Sequence, residues 1–377
     1  MGYISMVDLK GQYNKIKEEV DSRMQEVIDT SAFIKGPQVR EFEMHLSRYL
    51  GVNHVISCAN GTDALQIALM SLGLQPGDEV ITADFTFIAT VEVVALLGLK
   101  PVLVDVDPET FTIDIERLEK AITPRTKAII PVHLFGQCAD MEPIMLLARK
   151  HKLYVIEDTA QATGATYTFA DGTVMHAGTM GDIGTTSFFP SKNLGCFGDG
   201  GALFTNSDQL AEKIRMVANH GMKIRYHHNI IGVNSRLDSL QAAVLDVKLK
   251  YLDSYNRARQ LAASYYDEAL KGIKEIMTPF RAENSSHIFH QYTLILAESV
   301  NRDAFMKHLE FKGIPTMIYY PIPLHRQDAL ESAKGKDRDF PVSEMLSSRV
   351  ISLPMHTELS QEQLQFIVTS IKDYFHK

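Results

Sequence analysis

Residues 141–161 read MEPIMLLARKHKLYVIEDTAQ, a stretch that joins a helix pattern to a strand pattern. Apolar side chains recur at helical spacing over residues 141–150. Residues 154–157 form the next run, which is short and largely apolar, and Asp158 follows it directly. A helix that leads into a near-continuous apolar strand is typical of a parallel sheet with helices on both faces. The stretch therefore predicts an α/β fold.

Similar apolar runs occur on both sides of this stretch. Each has the length of a strand that is buried on both faces, and helical patterns such as residues 62–72 separate several of them. The alternation predicts a mostly parallel sheet. The other predicted strands are residues 54–57, 79–82, 102–106, 128–132, 185–189 and 202–205.

The pattern changes after the last of these strands. Two long amphipathic helices are predicted over residues 207–219 and 239–270, and a smaller α/β unit follows. We expect a large domain over residues 1–250 and a small C-terminal α/β domain over residues 251–377. The elements predicted for the small domain are a strand at 291–296, a helix at 301–312 and a final helix with a capping box that starts near Ser360.

The bulk composition excludes several classes of protein. The 377 residues carry a formal net charge of -8, whereas a nucleic-acid-binding surface needs clustered Lys and Arg. The three cysteines, Cys58, Cys138 and Cys196, are too widely spaced for a zinc-type pair. Neither a signal-peptide pattern nor an apolar run of roughly 20 residues is present. We expect a cytoplasmic protein without a metal site and without a nucleic-acid or membrane partner.

The turn after the first predicted strand has the composition of an anion site. Asn60-Gly61-Thr62-Asp63 places a glycine and a hydroxyl where a helix begins. Free backbone N–H groups and the positive end of the helix dipole favour a phosphate there. An ordinary N-cap turn, with Thr62 or Asp63 as the cap, is the simpler explanation of the same residues.

Two charged residues follow later strands. Asp158 would suit a cationic partner such as a protonated pyridine nitrogen, and the alternative is that it caps the next helix. Lys192 lies among small and apolar residues, where partial burial would lower its pKa and provide a nucleophilic amine. The alternative is an ordinary solvated lysine. The hydroxyls of Ser187 and Ser191 could hold a phosphate nearby.

The order of these features is informative. An anion turn, an aromatic residue (Phe85 or Phe87), an acid and a lysine each follow a successive strand, and the carboxyl ends of parallel strands are where ligands bind. Each aromatic could also be plain core. Pyridoxal 5'-phosphate (PLP) needs a phosphate cradle, a stacking ring, a partner for its ring nitrogen and an amine. We therefore expect PLP as the cofactor.

Three motifs carry a family resemblance. The segments NGTDAL (60–65), EDTAQ (157–161) and SFFPSKN (187–193) closely resemble those of the DegT/StrS family of PLP-dependent nucleotide-sugar aminotransferases. The resemblance implies PLP-dependent transferase fold type I. It spans nearly the whole chain through further similar segments at 8–10, 34–37, 133–136, 232–237 and 320–325.

The resemblance implies a role for each cofactor residue. Lys192 would form the Schiff base with PLP and move protons, Asp158 would pair with the ring nitrogen, and Gln161 would contact the ring hydroxyl. Phe87 would stack on the ring, with Phe85 as the alternative. The implied phosphate ligands are Gly61, Thr62, Ser187 and, from the neighbouring subunit of a homodimer, Asn234.

The resemblance also implies a substrate side of the site, formed by Arg236, Tyr319, Tyr320 and His325. Many relatives carry His where this chain has Tyr319. The loop at 319–325 is similar to that of members acting on 3-oxo sugars, in particular those of the UDP-2-acetamido-3-oxo-glucuronate type.

The implied activity is transfer of an amino group from an amino acid, with glutamate expected, to C3 of a UDP-linked 3-oxo sugar in lipopolysaccharide or polysaccharide biosynthesis. The alternatives are a dTDP-3-oxo-6-deoxyhexose acceptor, a 4-oxo sugar acceptor, or a non-catalytic sensor of PLP or a sugar nucleotide. A dehydratase of the same fold is disfavoured, because such relatives replace the Schiff-base lysine with histidine and this chain has Lys192.

Overall fold

The computed structural model describes residues 4–333 and 339–375. Its helices are α1 (Leu9–Thr30), α2 (Pro37–Leu50), α3 (Gly61–Leu72), α4 (Ala89–Leu96), α5 (Ile115–Ala121), α6 (Met141–His151), α7 (Asp208–Val217), α8 (Ser239–Leu249), α9 (Leu252–Leu270), α10 (Arg302–Phe311), α11 (Pro341–Arg349) and α12 (Gln361–Phe375).

The strands of the first half are β1 (His54–Cys58), β2 (Glu79–Ala83), β3 (Lys100–Val104), β4 (Thr126–Ile130), β5 (Tyr154–Asp158), β6 (Thr166–Thr168), β7 (Val174–His176), β8 (Ile183–Ser187) and β9 (Gly201–Thr205). Those of the second half are β10 (Met222–Ile224), β11 (His227–His228), β12 (Ile276–Met277), β13 (Tyr292–Leu296) and β14 (Val350–Leu353). Every predicted strand is present, with shifts of about two residues at some ends.

The central sheet has seven strands in the order β1-β9-β8-β5-β4-β2-β3. Neighbours from β8 to β3 pair in parallel, whereas β9 runs antiparallel to both β8 and β1. Because β1 is antiparallel to β9, it points the same way as the parallel strands. The carboxyl ends of β1, β2, β5 and β8 therefore meet at one edge of the sheet, and the predicted mostly parallel α/β sheet is confirmed.

Both faces of the sheet are apolar, as the near-continuous strands predict. Alternate residues of a strand enter opposite cores, so Val155 packs with α5 and α6 while Ile156 packs with α3, α4 and α7. Neither side chain is exposed. This two-sided burial fixes the strand ends, and with them the residues that follow.

The single helix predicted over residues 239–270 is wrong. The chain forms α8 and α9, and the break lies at Lys250 and Tyr251, whose N–H groups bond to carbonyls three residues back, Val247 and Lys248. This tighter turn redirects the chain. Helix α8 is buried along its length against α1 and α2, whereas α9 is amphipathic.

The C-terminal unit is built on the antiparallel sheet β12-β13-β14. Helices α9, α10 and α12 cover it, and Tyr266 of α9 is fully enclosed in this core. At α12 the predicted capping box is present, because Ser360 and Gln363 exchange side-chain-to-backbone hydrogen bonds. The domain division at residue 250 stays a prediction.

Among the described residues, the longer helices are too polar to serve as membrane-crossing segments.

Candidate active site

A cavity of about 690 Å³ opens where the carboxyl ends of the parallel strands meet. Its volume is within the range of small-molecule sites. It brings together most of the residues singled out in the sequence, and the predicted residues that line it are Gly61, Thr62, Phe87, Asp158, Gln161, Ser187, Lys192, Tyr319 and Tyr320.

The turn between β1 and α3 is capped by Asn60. Its side chain accepts the Asp63 N–H at 2.7 Å, and its carbonyl accepts the Ala64 N–H. The N-cap residue is therefore Asn60. The prediction of Thr62 or Asp63 as the cap was wrong. The N–H groups of Gly61 and Thr62 precede the first intrahelical hydrogen bond, so they are free to bind an anion.

Ser187 closes this turn from the end of β8. A Cβ added to Gly61 would lie 2.6 Å from Cβ of Ser187, so the close approach of the start of α3 to the end of β8 requires glycine. Ser187, Gly61 and Thr62 thus all line the cavity beside the helix N-terminus.

Asp158 is a buried carboxylate at the end of β5, with 5 % of its surface exposed. Its Oδ2 accepts a hydrogen bond from the Thr90 hydroxyl at 2.8 Å, and its Oδ1 accepts the Ala160 N–H at 3.1 Å. A turn rather than a helix follows it, which rules out the helix-cap alternative. Its side chain is oriented into the cavity with acceptor capacity remaining.

The neighbouring carboxylate, Glu157, has a structural role. It accepts N–H groups of Gly178, Met180 and Gly181 at 2.6–2.8 Å, and it pairs with His133 at 2.9 Å. Because Nδ1 of His133 already accepts the Ala139 N–H, its proton is on Nε2 and is donated to Glu157. These bonds fix the end of β5 against the turn that leads into β8.

Gln161 has its amide orientation set by the backbone. The Phe135 N–H donates to Oε1 at 2.7 Å, so the NH₂ group lies on the other side and donates to the Tyr320 hydroxyl at 3.1 Å. Gln161 therefore presents a donor, not an acceptor, to the cavity.

Lys192 follows β8 in a turn whose own contacts are extensive. Its N–H donates to the Phe189 carbonyl, and buried Lys248 donates to the Gly195 carbonyl at 2.5 Å. Burial lowers the pKa of the Lys192 amine to about 8, although the nearby Asp158 charge acts to raise it. The amine lines the cavity, so the solvated-lysine alternative does not describe it.

The structure distinguishes the two phenylalanines after β2. Phe85 is 1 % exposed and packs in the core, whereas Phe87 is 55 % exposed and lines the cavity. The Phe87 ring lies 6.1 Å from that of Tyr320. Of these two phenylalanines, Phe87 is therefore the one available to a flat ligand.

His325 does not line the cavity. Its Nδ1 lies 2.7 Å from Oδ2 of buried Asp84, its N–H donates to Oδ1, and its ring stacks on Phe340 at 4.5 Å. Burial raises the pKa of Asp84, and the hydrogen bonds and charge of His325 oppose that shift. The pair attaches the loop that carries Tyr319 and Tyr320 to the end of β2.

Asn234 and Arg236 also lie away from the main cavity. Arg236 lines a second cavity of about 440 Å³, with Lys35, Arg40 and Arg215 as the other cations. The Nε atom of Arg236 is enclosed without a hydrogen-bond partner in the described chain. Asn234 lies next to this cavity, paired with the backbone of Asn219.

The sequence motifs do not identify several residues that line the cavity, among them Thr90, His290 and Gln291. Thr90 lies one residue into α4 beyond the aromatic segment, where helix geometry turns it back towards β5. His290 and Gln291 precede β13, and nothing in their local sequence indicates that they reach the large sheet. The absence of a metal site stays a prediction. In the described ranges no group of three His, Cys, Asp or Glu side chains converges as metal ligands do.

The chain is similar to known proteins over nearly its whole length. The model of the DegT/DnrJ/EryC1/StrS aminotransferase family matches residues 14–372. A UDP-2-acetamido-2-deoxy-3-oxo-D-glucuronate aminotransferase of Pseudomonas aeruginosa is 48 % identical over 98 % of this chain and 99 % of its own.

Two further relatives are similar over the same length. A protein of Geobacillus stearothermophilus named pleiotropic regulatory protein is 45 % identical, covering 99 % of this chain and 98 % of its own. A UDP-N-acetyl-3-dehydro-alpha-D-glucosamine 3-aminotransferase of Acidithiobacillus ferrooxidans is 46 % identical, with the same shares covered.

Among solved structures, NtdA from Bacillus subtilis with bound cofactor PMP superposes with a TM-score of 0.89. It is 34 % identical, and the match covers 97 % of this chain and 83 % of NtdA. Matches of this identity and length leave one conclusion, that the chain belongs to the DegT/DnrJ/EryC1/StrS aminotransferase family.

Proposed function

We propose that this protein uses PLP to transfer an amino group from an amino acid to a keto-sugar nucleotide. The observation that carries the proposal is the meeting of Lys192, Asp158 and the Gly61–Thr62 turn around one cavity. The family and the PMP-bound relative imply the same cofactor. The residues fit it: the free N–H groups and Ser187 suit a phosphate, Phe87 suits a ring, and Asp158 suits a ring N–H.

PLP, when bound, supplies an aldehyde that condenses with amines and a ring that accepts electrons. Lys192 provides the amine that holds the cofactor and afterwards moves a proton at the reacting carbon. Its lowered pKa makes a neutral amine available near neutral pH. With PLP bound, Asp158 would keep the ring nitrogen protonated, and the Gln161 NH₂ group would be available as a donor to the ring hydroxyl.

For the acceptor we propose a UDP-linked 3-oxo sugar that is aminated at C3, with glutamate as the donor. The support is that two relatives, each 46–48 % identical, are named for 3-oxo or 3-dehydro UDP-sugars. The first relative is named for a glucuronate and the second for a glucosamine, so the substrate test must also determine whether the sugar has a carboxylate.

We further propose a homodimer that completes each site, because the two cavities are complementary in charge. Among the described residues of the main cavity, Lys192 is the one Lys or Arg, although phosphate and carboxylate groups must enter it. The second cavity gathers Arg236 and three other cations around one carboxylate, Glu43. Asn234 and Arg236 of the partner subunit would then reach the cofactor phosphate and the substrate.

A substrate panel tests the proposed function. The purified protein, loaded with PLP, is given glutamate with UDP- and dTDP-linked 3-oxo and 4-oxo sugars, and products are identified by mass spectrometry. Amination of UDP-3-oxo sugars, lost in Lys192→Ala, is expected. Amination of only 4-oxo sugars would contradict the choice of C3.

The second candidate is a sensor without turnover, which the name of the Geobacillus stearothermophilus relative favours. It predicts that PLP or a sugar nucleotide binds while no member of the panel is aminated. Cytoplasmic location and the absence of nucleic-acid or membrane partners stay predictions, and so does the place in polysaccharide or lipopolysaccharide biosynthesis.

A further inference from the structure

A buried imidazole, His290, lines the main cavity together with Lys192. Only 5 % of its surface is exposed, and it lies two residues before strand β13 of the C-terminal unit. Its Nδ1 lies 3.2 Å from Oδ1 of Asn193, the residue that follows Lys192 in the chain. His290 is therefore coupled to the turn that carries the lysine.

A chain of amide contacts determines which nitrogen of His290 carries the proton. The carbonyl of Thr163 accepts from Nδ2 of Asn256 at 3.4 Å, which leaves Oδ1 of Asn256 to accept from Nδ2 of Asn193 at 2.7 Å. The Ile288 carbonyl also accepts from Nδ2 of Asn193. Asn193 thus turns its oxygen to His290, and an oxygen can only accept, so Nδ1 of His290 carries the proton.

The other nitrogen, Nε2, is then a free acceptor. No residue in the described ranges donates to it, and it is absent from the enclosed polar atoms that lack a partner, so it is reachable from the cavity. Burial lowers the pKa of His290 well below 6.5, and the charges of Lys192 and Arg259 lower it further. The imidazole therefore stays neutral at ordinary pH.

Lys192 has the complementary property. Within the part of the chain that the structure describes, no group accepts a hydrogen bond from its amine, which lines the same cavity. We propose that His290 is a positioning residue for Lys192: held as the Nδ1–H form by Asn193, it accepts an N–H of the free Lys192 amine through Nε2.

Such a contact would direct the lone pair of the amine towards the reacting carbon. The inference rests on the proposed function in that Lys192 is the amine that holds the cofactor. The inference has two parts, the protonation of the His290 ring and its contact with Lys192. The first part does not depend on any cofactor and can be measured in the cofactor-free protein.

Side-chain ¹⁵N NMR of the cofactor-free protein tests the protonation of the His290 ring, and His290→Gln serves to identify its signals. We expect the shifts of a neutral ring with the proton on Nδ1, unchanged between about pH 5.5 and pH 8.5, since burial and the charges of Lys192 and Arg259 lower the pKa of His290 well below 6.5. A ring that titrates within this window, or one that carries its proton on Nε2, would overturn the proposal.

Two variants test the contact with Lys192. His290→Phe keeps a ring of similar size but removes the acceptor, whereas the side-chain oxygen of His290→Gln can take the place of Nε2. The readout is the rate of the visible-absorbance change when PLP is added to the cofactor-free protein, together with kcat and KM for glutamate.

We expect His290→Phe to slow PLP uptake and lower kcat by about 10- to 100-fold with an unchanged KM, because the amine is present but poorly oriented. His290→Gln should recover both to within about 3-fold of the wild type. Equal effects in the two variants would show that His290 only fills space and would overturn the proposal. If the wild type itself takes up no PLP, the proposed function fails, while the NMR result still decides the ring state.

Discussion

The Thr90 hydroxyl donates a 2.8 Å hydrogen bond to Oδ2 of Asp158, and both side chains are buried, at 1 % and 5 % exposure. Thr90 is the second residue of α4 and Asp158 is the last residue of β5, so the bond joins two elements through residues that are 68 positions apart in sequence. It holds one carboxylate oxygen in a single orientation. The carboxylate that should pair with the cofactor ring is thus positioned before any ligand arrives.

Thr90→Val should weaken PLP binding by about 10- to 100-fold, since a hydrogen bond to a charged group contributes about 1.5–3 kcal/mol. The shape of the side chain is kept, so packing in α4 should change little. Absorbance titration of the cofactor-free protein with PLP measures the affinity, and Thr90→Ser, which keeps the hydroxyl, is the matched control. Equal affinities for Thr90→Val and the wild type would show that Asp158 needs no such support.

The pH dependence of cofactor uptake should follow Lys192. Only the neutral amine attacks an aldehyde, and burial lowers the pKa of this amine to about 8. The second-order rate of PLP uptake should therefore rise with pH through about 8 and level off above it. Stopped-flow absorbance across pH 6–10 measures this profile.

Asp158→Asn tests whether the Asp158 charge influences the midpoint of that pH profile. The Asp158 charge acts to raise the pKa of Lys192, so its removal should move the midpoint to lower pH. A midpoint that stays in place, or one that moves to higher pH, would mean that the two groups do not interact as the structure indicates.

Glu157→Gln should destabilise the fold rather than act on chemistry directly. The carboxylate accepts hydrogen bonds from three backbone N–H groups and from His133, and an amide NH₂ would face donors in place of an acceptor. We expect a loss on the order of 3 kcal/mol in the free energy of unfolding, from urea denaturation. Glu119→Gln, at an exposed ion pair with Lys150, is the matched control and should leave the free energy of unfolding close to that of the wild type.

Asp84→Asn should loosen the loop that carries Tyr319 and Tyr320. Asp84 accepts from the N–H of His325 and pairs with its ring, and these contacts attach the loop to β2. We expect KM for the sugar acceptor to rise by about 10-fold, the factor that corresponds to one net hydrogen bond, with PLP affinity unchanged. Arg326→Gln, on the exposed side of the same loop, is the control and should leave both values near those of the wild type.

Much of the site could be predicted from the sequence because its main groups follow strands directly. Burial on both faces fixes where β5 and β8 end, so Asp158 and Lys192 could be placed at one edge of a sheet before its topology was known. The turn at Gly61 carries its own local signal, a helix N-terminus after a strand.

The remainder depends on contacts between distant segments. Phe85 and Phe87 lie two residues apart just beyond the end of β2, and only the packing there separates a core residue from a cavity residue. His325 was expected at the substrate side, but its partner Asp84 lies 241 residues away in sequence. The tighter turn at Lys250 that divides α8 from α9 has no proline or glycine to indicate it.

The central claim is that Lys192 is the amine that holds the cofactor. Borohydride reduction of the PLP-loaded protein, followed by peptide mass spectrometry, tests it most directly, because reduction fixes the cofactor to the lysine that bears it. We predict a single modified peptide that contains Lys192, and no modification in Lys192→Ala. Modification of another lysine, such as buried Lys248, or no modification at all, would contradict it.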